Sequence, residues 1–404
     1  MTNKTRALAD VLLNMLATVL PIALLQLLVF PLAADGMPST EYGLLTTVYA
    51  VMGLFPGTLG LALCTIRLIN CNWYAEGHGG DFQVISAELL VLGSVLVAIL
   101  LHYYGITSPV RLALSLLTAA AWLLREYHLV AFRIKIDYRS IVINNALMAA
   151  GYAVGLAAFL LTGLWELILL SGQLLSLLFI LKMSQLWREP IRKSNRVNET
   201  RKEVLSFSLA SFLSRIVSYA DRILLFPIVG GHLVSVYYVA TLVGKILSMA
   251  IGPVGTVLLS YLAKEKTKST KTFFLLFKIS VALAIFGYIL IMFIARWVVE
   301  FLYPQFADKA MLYVPITSAS ALIYAVFAVL NTFLVKFYSM RWQIRLYGVS
   351  SAFFLITSAI ALRLFGLYGF CICYLTVNII QLIAAVLIFL CLDPDSPSAV
   401  AETK

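Results

Sequence analysis

Residues 204–229 read VLSFSLASFLSRIVSYADRILLFPIV, and residues 233–262 read LVSVYYVATLVGKILSMAIGPVGTVLLSYL. The pair Gly230-Gly231 lies between these two apolar stretches. Each stretch is longer than the about 20 residues that an α-helix needs to cross the hydrocarbon layer of a bilayer. The pattern therefore predicts two transmembrane helices joined by a glycine turn.

Both stretches carry charge at unusual depth. Arg215 lies near the middle of the first and Lys245 near the middle of the second, while Asp221 and Arg222 lie closer to the turn. A charge at mid-bilayer costs at least about 2.5 kcal/mol, so it is kept where it faces a wet cavity or a partner. Arg215 and Arg222 share one helix face, from which Asp221 points about 100° away. The pattern predicts a cationic, membrane-embedded site. Internal ion pairs that hold the two helices together are the alternative.

The composition excludes most soluble classes. The 404 residues are 62% hydrophobic and 12% charged, whereas soluble domains are about 45–50% apolar and about 25% charged. Alternating ten-residue strands are absent, so helices are the spanning form. The chain is predicted to be an all-α polytopic membrane protein. Its net charge of +11 falls in loops, which indicates membrane topology and no nucleic-acid partner.

Apolar windows predict about 12 transmembrane helices. Basic connections after even-numbered spans predict that both termini are cytoplasmic. The predicted spans are Leu8–Ala33, Tyr42–Ile66, Val84–Tyr104, Val110–Ala131, Ile141–Thr162, Leu164–Trp187, Val204–Val229, Leu233–Leu262, Phe273–Ala295, Ala310–Phe337, Arg345–Leu364 and Leu367–Leu392.

A polar, basic segment at the midpoint divides these spans six and six. We predict an N-terminal lobe at 1–187, a cytoplasmic linker at 188–203, a C-terminal lobe at 204–392 and a polar tail at 393–404. Residues 29–32 (VFPL) recur as residues 225–228 (LFPI), an offset of 196. Two six-helix lobes of the same orientation indicate a parallel pseudo-two-fold repeat.

Several short motifs, in this order and spacing, resemble the oligosaccharide and O-antigen flippases of the Wzx type. These flippases belong to the multidrug/oligosaccharidyl-lipid/polysaccharide exporter superfamily. The likeness extends over most of residues 8–392. The motifs are Glu41-Tyr42-Gly43-Leu44, Gly60 with Arg67, residues 132–139 (FRIKIDYR), Asn144-Asn145, Ser218-Tyr219-Ala220-Asp221-Arg222, residues 236–240 (VYYVA), residues 302–307 (LYPQFA) and residues 365–369 (FGLYG).

The resemblance implies two six-helix lobes around a central cationic cavity in a bacterial cytoplasmic (inner) membrane protein. It implies transport of undecaprenyl-diphosphate-linked oligosaccharide repeat units by alternating access, for O-antigen or capsule assembly. Membrane lipid and other polysaccharide-assembly proteins are the further partners expected. In related lipid II flippases the first helix bears arginines, whereas Asn14 and Gln26 are its polar residues here.

The candidate substrate-binding set follows from charge within the spans. Arg215, Lys245, Arg222 and Arg125 are basic, against acidic Asp221 and Glu126, and polar Asn14 completes the set. This imbalance favours an anionic ligand, because arginine donates two parallel hydrogen bonds to phosphate oxygens and lysine acts as a point charge. The cytoplasmic-side Arg125 could also extend its head group to the interface.

Two other functions remain open. A cation-coupled multidrug exporter of the same fold would favour acidic cavities, and a membrane-embedded glycosyltransferase or polymerase would need acids in a sizeable external loop. Short external loops argue against an enzyme, so no catalytic residue is assigned. The sequence contains no nucleotide-binding P-loop and no metal-binding histidine spacing. We therefore expect neither a cofactor nor a metal.

Overall fold

The computed structural model describes residues 19–74, 80–189, 191, 193–249, 269–338 and 340–392. Throughout these residues the regular structure is helical, so the all-α prediction is confirmed. Gly230 and Gly366 are non-helical and divide Val197–Met249 and Met340–Cys391 into two helices each. The long helices are α1 (Val19–Asp35), α2 (Ser39–Ile69), α3 (Gly80–Tyr103), α4 (Pro109–His128), α5 (Tyr138–Thr162), α6 (Glu166–Met183), α7 (197–229), α8 (231–249), α9 (Thr270–Leu302), α10 (Val314–Phe337), α11 (340–365) and α12 (367–391).

The helices carry apolar side chains on their outer surfaces. Within the described residues, 8 helical stretches are long and apolar enough to cross a membrane, with the pairs α7–α8 and α11–α12 each counted as one stretch. Leu161 is 88% exposed and Phe293 75% exposed, a distribution that suits lipid rather than water. The chain is therefore a multi-pass membrane protein. The count of 12 spans stays a prediction, because the first and eighth predicted spans extend outside the described residues.

Glycines with positive φ lie in four of the connections between consecutive long helices. Gly105, Gly163, Gly230 and Gly366 all have positive φ, at 85°, 75°, 76° and 60°. A side chain with a Cβ is disfavoured there. Each glycine lies in a connection that the charge pattern assigns to the external side. The predicted glycine turn between residues 229 and 233 is confirmed.

The chain folds into two compact units, 1–227 and 228–404. Helix α7 contributes residues 197–227 to the first unit, and the Tyr104 hydroxyl donates to the carbonyl of Ile223 at 3.2 Å. The predicted linker is thus partly helical, because α7 begins at Val197. The division of the spans into two repeated six-helix lobes stays a prediction.

Buried polar contacts hold the midpoint segment, within 188–203, against the rest of the first unit. Asp81 is fully buried and accepts hydrogen bonds from the backbone N–H and hydroxyl of Ser194 at 2.6 and 2.5 Å. The Tyr74 hydroxyl also donates to Asp81 at 3.2 Å. Nearby, Arg67 forms an ion pair with Glu189 at 2.5 Å. Glu189 and Ser194 are therefore held by the end of α2 and the start of α3.

Replacing Asp81 with alanine should release this segment. Each hydrogen bond to a charged group contributes about 1.5–3 kcal/mol, and Asp81→Ala removes three. We expect trypsin to cleave the Lys- and Arg-rich segment 188–203 at least about tenfold faster, as followed by the mass of the fragments. Asp308→Ala, at an exposed position, is the control. Equal cleavage rates in wild type and Asp81→Ala would show that Asp81 does not hold the segment.

The second unit is organised around stacked aromatic rings. Phe273 and Phe389 lie face to face, with centroids 3.7 Å apart and planes at 5°. Phe333 packs edge-on against both rings. A polar contact joins α10 to α12, where the Asn378 side chain donates to the Ser320 hydroxyl at 2.7 Å. Aromatic packing and buried polar contacts thus connect α9, α10 and α12.

Candidate functional site

A cavity of about 330 Å³ lies within the first unit. Side chains from α1, α2, α4, α5 and α7 and from the connection between α4 and α5 line it. They are Pro21, Ile22, Leu25, Tyr49, Gly53, Gly57, Leu61, Trp122, Arg125, Glu126, Leu129, Arg133, Ile141, Asn145, Met148, Tyr152, Arg215 and Tyr219.

Glycines on α2 bring large side chains close to its backbone. A Cβ at Gly53 would lie 2.6 Å from the ring of Tyr219, and one at Gly57 would lie 3.1 Å from Nε1 of Trp122. At Gly60 it would lie 2.5 Å from the carbonyl oxygen of Leu123. The three glycines are spaced four and three residues apart, so they share one helix face. This face lets α4 and α7 pack directly on α2.

The cavity lining is net positive. Arg125, Arg133 and Arg215 contribute three positive charges and Glu126 one negative charge, which leaves +2. Arg125 and Glu126 form an ion pair. Arg215 is half-buried and makes no hydrogen bond or ion pair with any described residue. Two of the three guanidinium groups thus lack a carboxylate partner among the described residues.

Arg125 is held in place yet keeps donor capacity. It is 6% exposed, and its Nη1 lies 3.0 Å from the sulfur of Met148. Its Nε–H has no hydrogen-bond partner in the part of the chain that the structure describes. An unsatisfied buried donor is costly, more so on a charged group. A ligand that brings anionic oxygens would satisfy this donor. An anionic ligand is also what the sequence predicts for the set of residues that includes Arg125 and Glu126.

Arg133 is absent from the predicted set because its sequence context is a basic connection. The structure places it at the cavity, with Nη1 3.4 Å from the sulfur of Cys64. The same connection begins α5 through Asp137, whose carboxylate accepts the backbone N–H of Ser140 at 3.1 Å and its hydroxyl at 2.6 Å. These bonds lower the pKa of Asp137 below its usual value. The connection is therefore ordered by a helix cap.

Asp221 and Arg222 lie away from the cavity lining and are buried, at 0% and 5% exposed. Nε of Arg222 lies 3.6 Å from Asp221, and its Nη1 donates to the carbonyl of Thr46 at 3.3 Å. An ion pair, the kind of contact named in the alternative, is thus present between Asp221 and Arg222 on α7. The bond to Thr46 connects α7 to α2.

Three other polar residues named in the sequence analysis lie outside the cavity lining or outside the described residues. Lys245 is half-buried on α8, in the second unit, and is not among the residues that line this cavity. Asn14 lies outside the described residues. Gln26, the other polar residue of the first span, is buried and hydrogen-bonded to Tyr49. The structure thus brings together Arg125, Glu126 and Arg215 from the predicted set.

The aromatic part of the lining was not predicted. Tyr49, Trp122 and Tyr152 come from three helices, so no local pattern relates them. Asn145 and Tyr152 are seven residues apart on α5 and share one face. Asn145 is part of the motif Asn144-Asn145 quoted for the resemblance, and its helical spacing to Tyr152 was the signal available in the sequence.

Solved structures share this fold. No protein-family model matches the chain, and no curated protein sequence matches it. The lipid II flippase MurJ in an inward closed conformation superimposes with a TM-score of 0.70 at 13% identity, over 93% of this chain and 87% of MurJ. The eukaryotic MATE transporter AtDTX14 gives 0.66 at 15% identity, over 98% and 97%. An inward-facing multidrug resistance MATE family transporter of the MOP superfamily gives 0.61 at 14% identity, over 97% and 99%.

The chain has the MurJ and MATE transporter fold. Both lipid-flipping and drug-exporting proteins are found among these structures, and at 13–15% identity the likeness establishes architecture alone. The predicted fold is confirmed. The narrower prediction, a Wzx-type flippase, stays a prediction.

Proposed function

We propose that this protein is a flippase that translocates undecaprenyl-diphosphate-linked oligosaccharide repeat units for surface polysaccharide assembly. The observation that carries the proposal is the net charge of +2 on a cavity inside a membrane protein. Such charge is expensive in a membrane unless a ligand or water compensates for it. An anionic lipid headgroup provides that compensation.

The chemistry of the lining suits a diphosphate. Arg215 and Arg133 offer planar guanidinium groups that can each donate two hydrogen bonds to phosphate oxygens. Arg125 offers its free Nε–H. In an inside-negative membrane, outward movement of negative charge is downhill by about 2.3 kcal/mol per charge per 100 mV. A carrier of this substrate can therefore work without its own ATPase.

The proposal includes a location. A lipid-linked sugar made in the cytoplasm enters from the inner leaflet of a bacterial cytoplasmic membrane, with both termini of the carrier cytoplasmic. Other polysaccharide-assembly proteins would supply the repeat unit and consume it outside. Alternating access then exposes the cavity first to one side and then to the other.

A multidrug exporter is the second candidate, favoured by Glu126 and the aromatic rings of the cavity. Aromatic rings attract cations through their faces, and several structures with this fold are MATE transporters. The net positive lining opposes cationic drugs. Binding of tetraphenylphosphonium, a lipophilic cation, distinguishes the two candidates. A multidrug exporter should bind this cation, whereas a flippase of anionic headgroups should show no measurable binding.

Transport can be measured in proteoliposomes that contain a prenyl-diphosphate-linked N-acetylglucosamine. Galactosyltransferase and UDP-galactose added outside label only sugars in the outer leaflet. We expect the protein to bring inner-leaflet lipid into reach, so that labelling continues beyond the outer-leaflet fraction. Labelling that stops at the level of protein-free vesicles would refute the flippase proposal.

Lys245 provides a test in the second unit. If its charge contacts the substrate during transport, Lys245→Ala should reduce flipping at least about tenfold, the effect of losing one buried charge contact. Lys245→Arg should keep part of the activity because it preserves the charge. Equal losses in both variants, at equal amounts of folded protein, would indicate a packing role for Lys245.

A further inference from the structure

The cavity has an aromatic and amide part beside its arginines. Tyr49, Trp122 and Tyr152 supply three aromatic rings, and Asn145 supplies an amide. A diphosphate alone needs cations and N–H donors, not aromatic faces. The faces of the three aromatic rings therefore have no role in holding phosphate.

The rings are fixed before any ligand arrives. Trp122 is 9% exposed and packs with its Nε1 against Gly57. Its ring lies 5.7 Å from that of Tyr49, with the planes at 55°. The Tyr152 hydroxyl accepts a hydrogen bond from Gln173 at 3.0 Å. Side chains that are already ordered lose little entropy on binding, which favours affinity.

Asn145 carries unused hydrogen-bonding capacity. Its side chain is 6% exposed and lines the cavity, and it makes no hydrogen bond with any described residue. In the preceding residue, Oδ1 of Asn144 accepts a hydrogen bond from Ser176 at 2.9 Å, while its buried Nδ2 has no partner among the described residues. An amide offers two donors and an acceptor. Asn145 lines the cavity, so these groups can pair with a polar ligand there.

We propose that Trp122 and Asn145 bind the sugar ring attached directly to the diphosphate. This inference rests on the proposed function and specifies which part of the substrate enters the cavity. The apolar C–H face of a pyranose packs on the electron-rich face of an indole, while its hydroxyl or acetamido groups pair with the amide of Asn145. The polyprenyl chain fits poorly, because it would leave Asn145 and the arginines without polar partners.

Two soluble probes separate the sugar from the diphosphate. Farnesyl diphosphate and farnesyl-diphosphate-linked N-acetylglucosamine are titrated into the detergent-solubilised full chain by calorimetry. In wild type the sugar-bearing probe should bind about tenfold more tightly. Trp122→Ala should abolish this difference and Asn145→Ala should reduce it, while both leave the Kd of farnesyl diphosphate unchanged. Trp122→Phe, which keeps a ring, should restore most of the difference.

Controls distinguish failure of the proposed sugar site from failure of the proposed flippase function. Trp297→Ala, at a position that is 78% exposed, controls for loss of a tryptophan, and thermal unfolding of each variant checks the fold. Arg215→Ala should weaken both probes. If it does so while Trp122→Ala and Asn145→Ala change neither probe, or weaken both equally, the sugar site is wrong and the flippase proposal stands. If wild type binds neither probe, both are wrong.

Discussion

Arg215→Ala is expected to reduce flipping of a prenyl-diphosphate-linked sugar by about thirtyfold or more. The guanidinium of Arg215 lines the cavity, is half-buried and has no partner among the described residues. It is therefore available to phosphate oxygens. Removing one member of a buried charge pair costs about 2–5 kcal/mol, and 1.4 kcal/mol is a factor of ten. The outer-leaflet labelling assay in proteoliposomes measures the loss.

Matched variants show whether the charge at this position is what matters. Arg215→Lys keeps the charge but loses the two-pronged geometry, so it should retain part of the activity. Arg296→Ala removes an arginine that is exposed and paired with Glu300 at 2.7 Å, and it should flip at the wild-type rate. Wild-type flipping by Arg215→Ala, at equal reconstitution, would remove Arg215 from the site.

Gly155→Leu is expected to have the largest effect on stability. A Cβ at Gly155 would lie 2.5 Å from the carbonyl oxygen of Leu167 and 2.6 Å from Cα of Ile168. One turn earlier, a Cβ at Gly151 would lie 2.6 Å from the carbonyl oxygen of Ser171. Two glycines four residues apart let α5 and α6 pack backbone to backbone, a common interface between membrane helices. A leucine must push α6 away.

The expected cost of such overpacking is about 1–3 kcal/mol or more, which lowers the melting temperature by about 5–10 °C. Size-exclusion chromatography of the heated, detergent-solubilised protein measures this shift. Ala157→Leu introduces the same side chain on the exposed face of α5 and should melt with wild type. If both variants melt alike, the close approach of α5 and α6 does not limit stability.

The effect should reach the cavity as well. Helix α5 carries Asn145 and Tyr152 into the lining, and a Cβ at Gly172 on α6 would lie 2.2 Å from the ring of Tyr152. Displacing α6 therefore frees Tyr152. Any Gly155→Leu protein that survives folding should bind the sugar-bearing farnesyl probe more weakly than wild type.

The sequence by itself determined the class of the protein and most of its helices. Apolar runs long enough to cross a bilayer allow few alternatives, because the backbone must satisfy its own hydrogen bonds in lipid. The glycine turn at Gly230 was predictable for a similar local reason. Charged residues such as Arg215 stood out because the surrounding sequence is so apolar.

Tertiary structure decided which of those charges share a cavity. Arg215 lines it while Arg222, on the same predicted face of α7, donates to Thr46. A helical face specifies a direction but not the neighbour that occupies it. Trp122 joins the site where Gly57 of α2 lets α4 approach closely. Such contacts depend on distances between segments far apart in the chain, which periodicity within one segment does not encode.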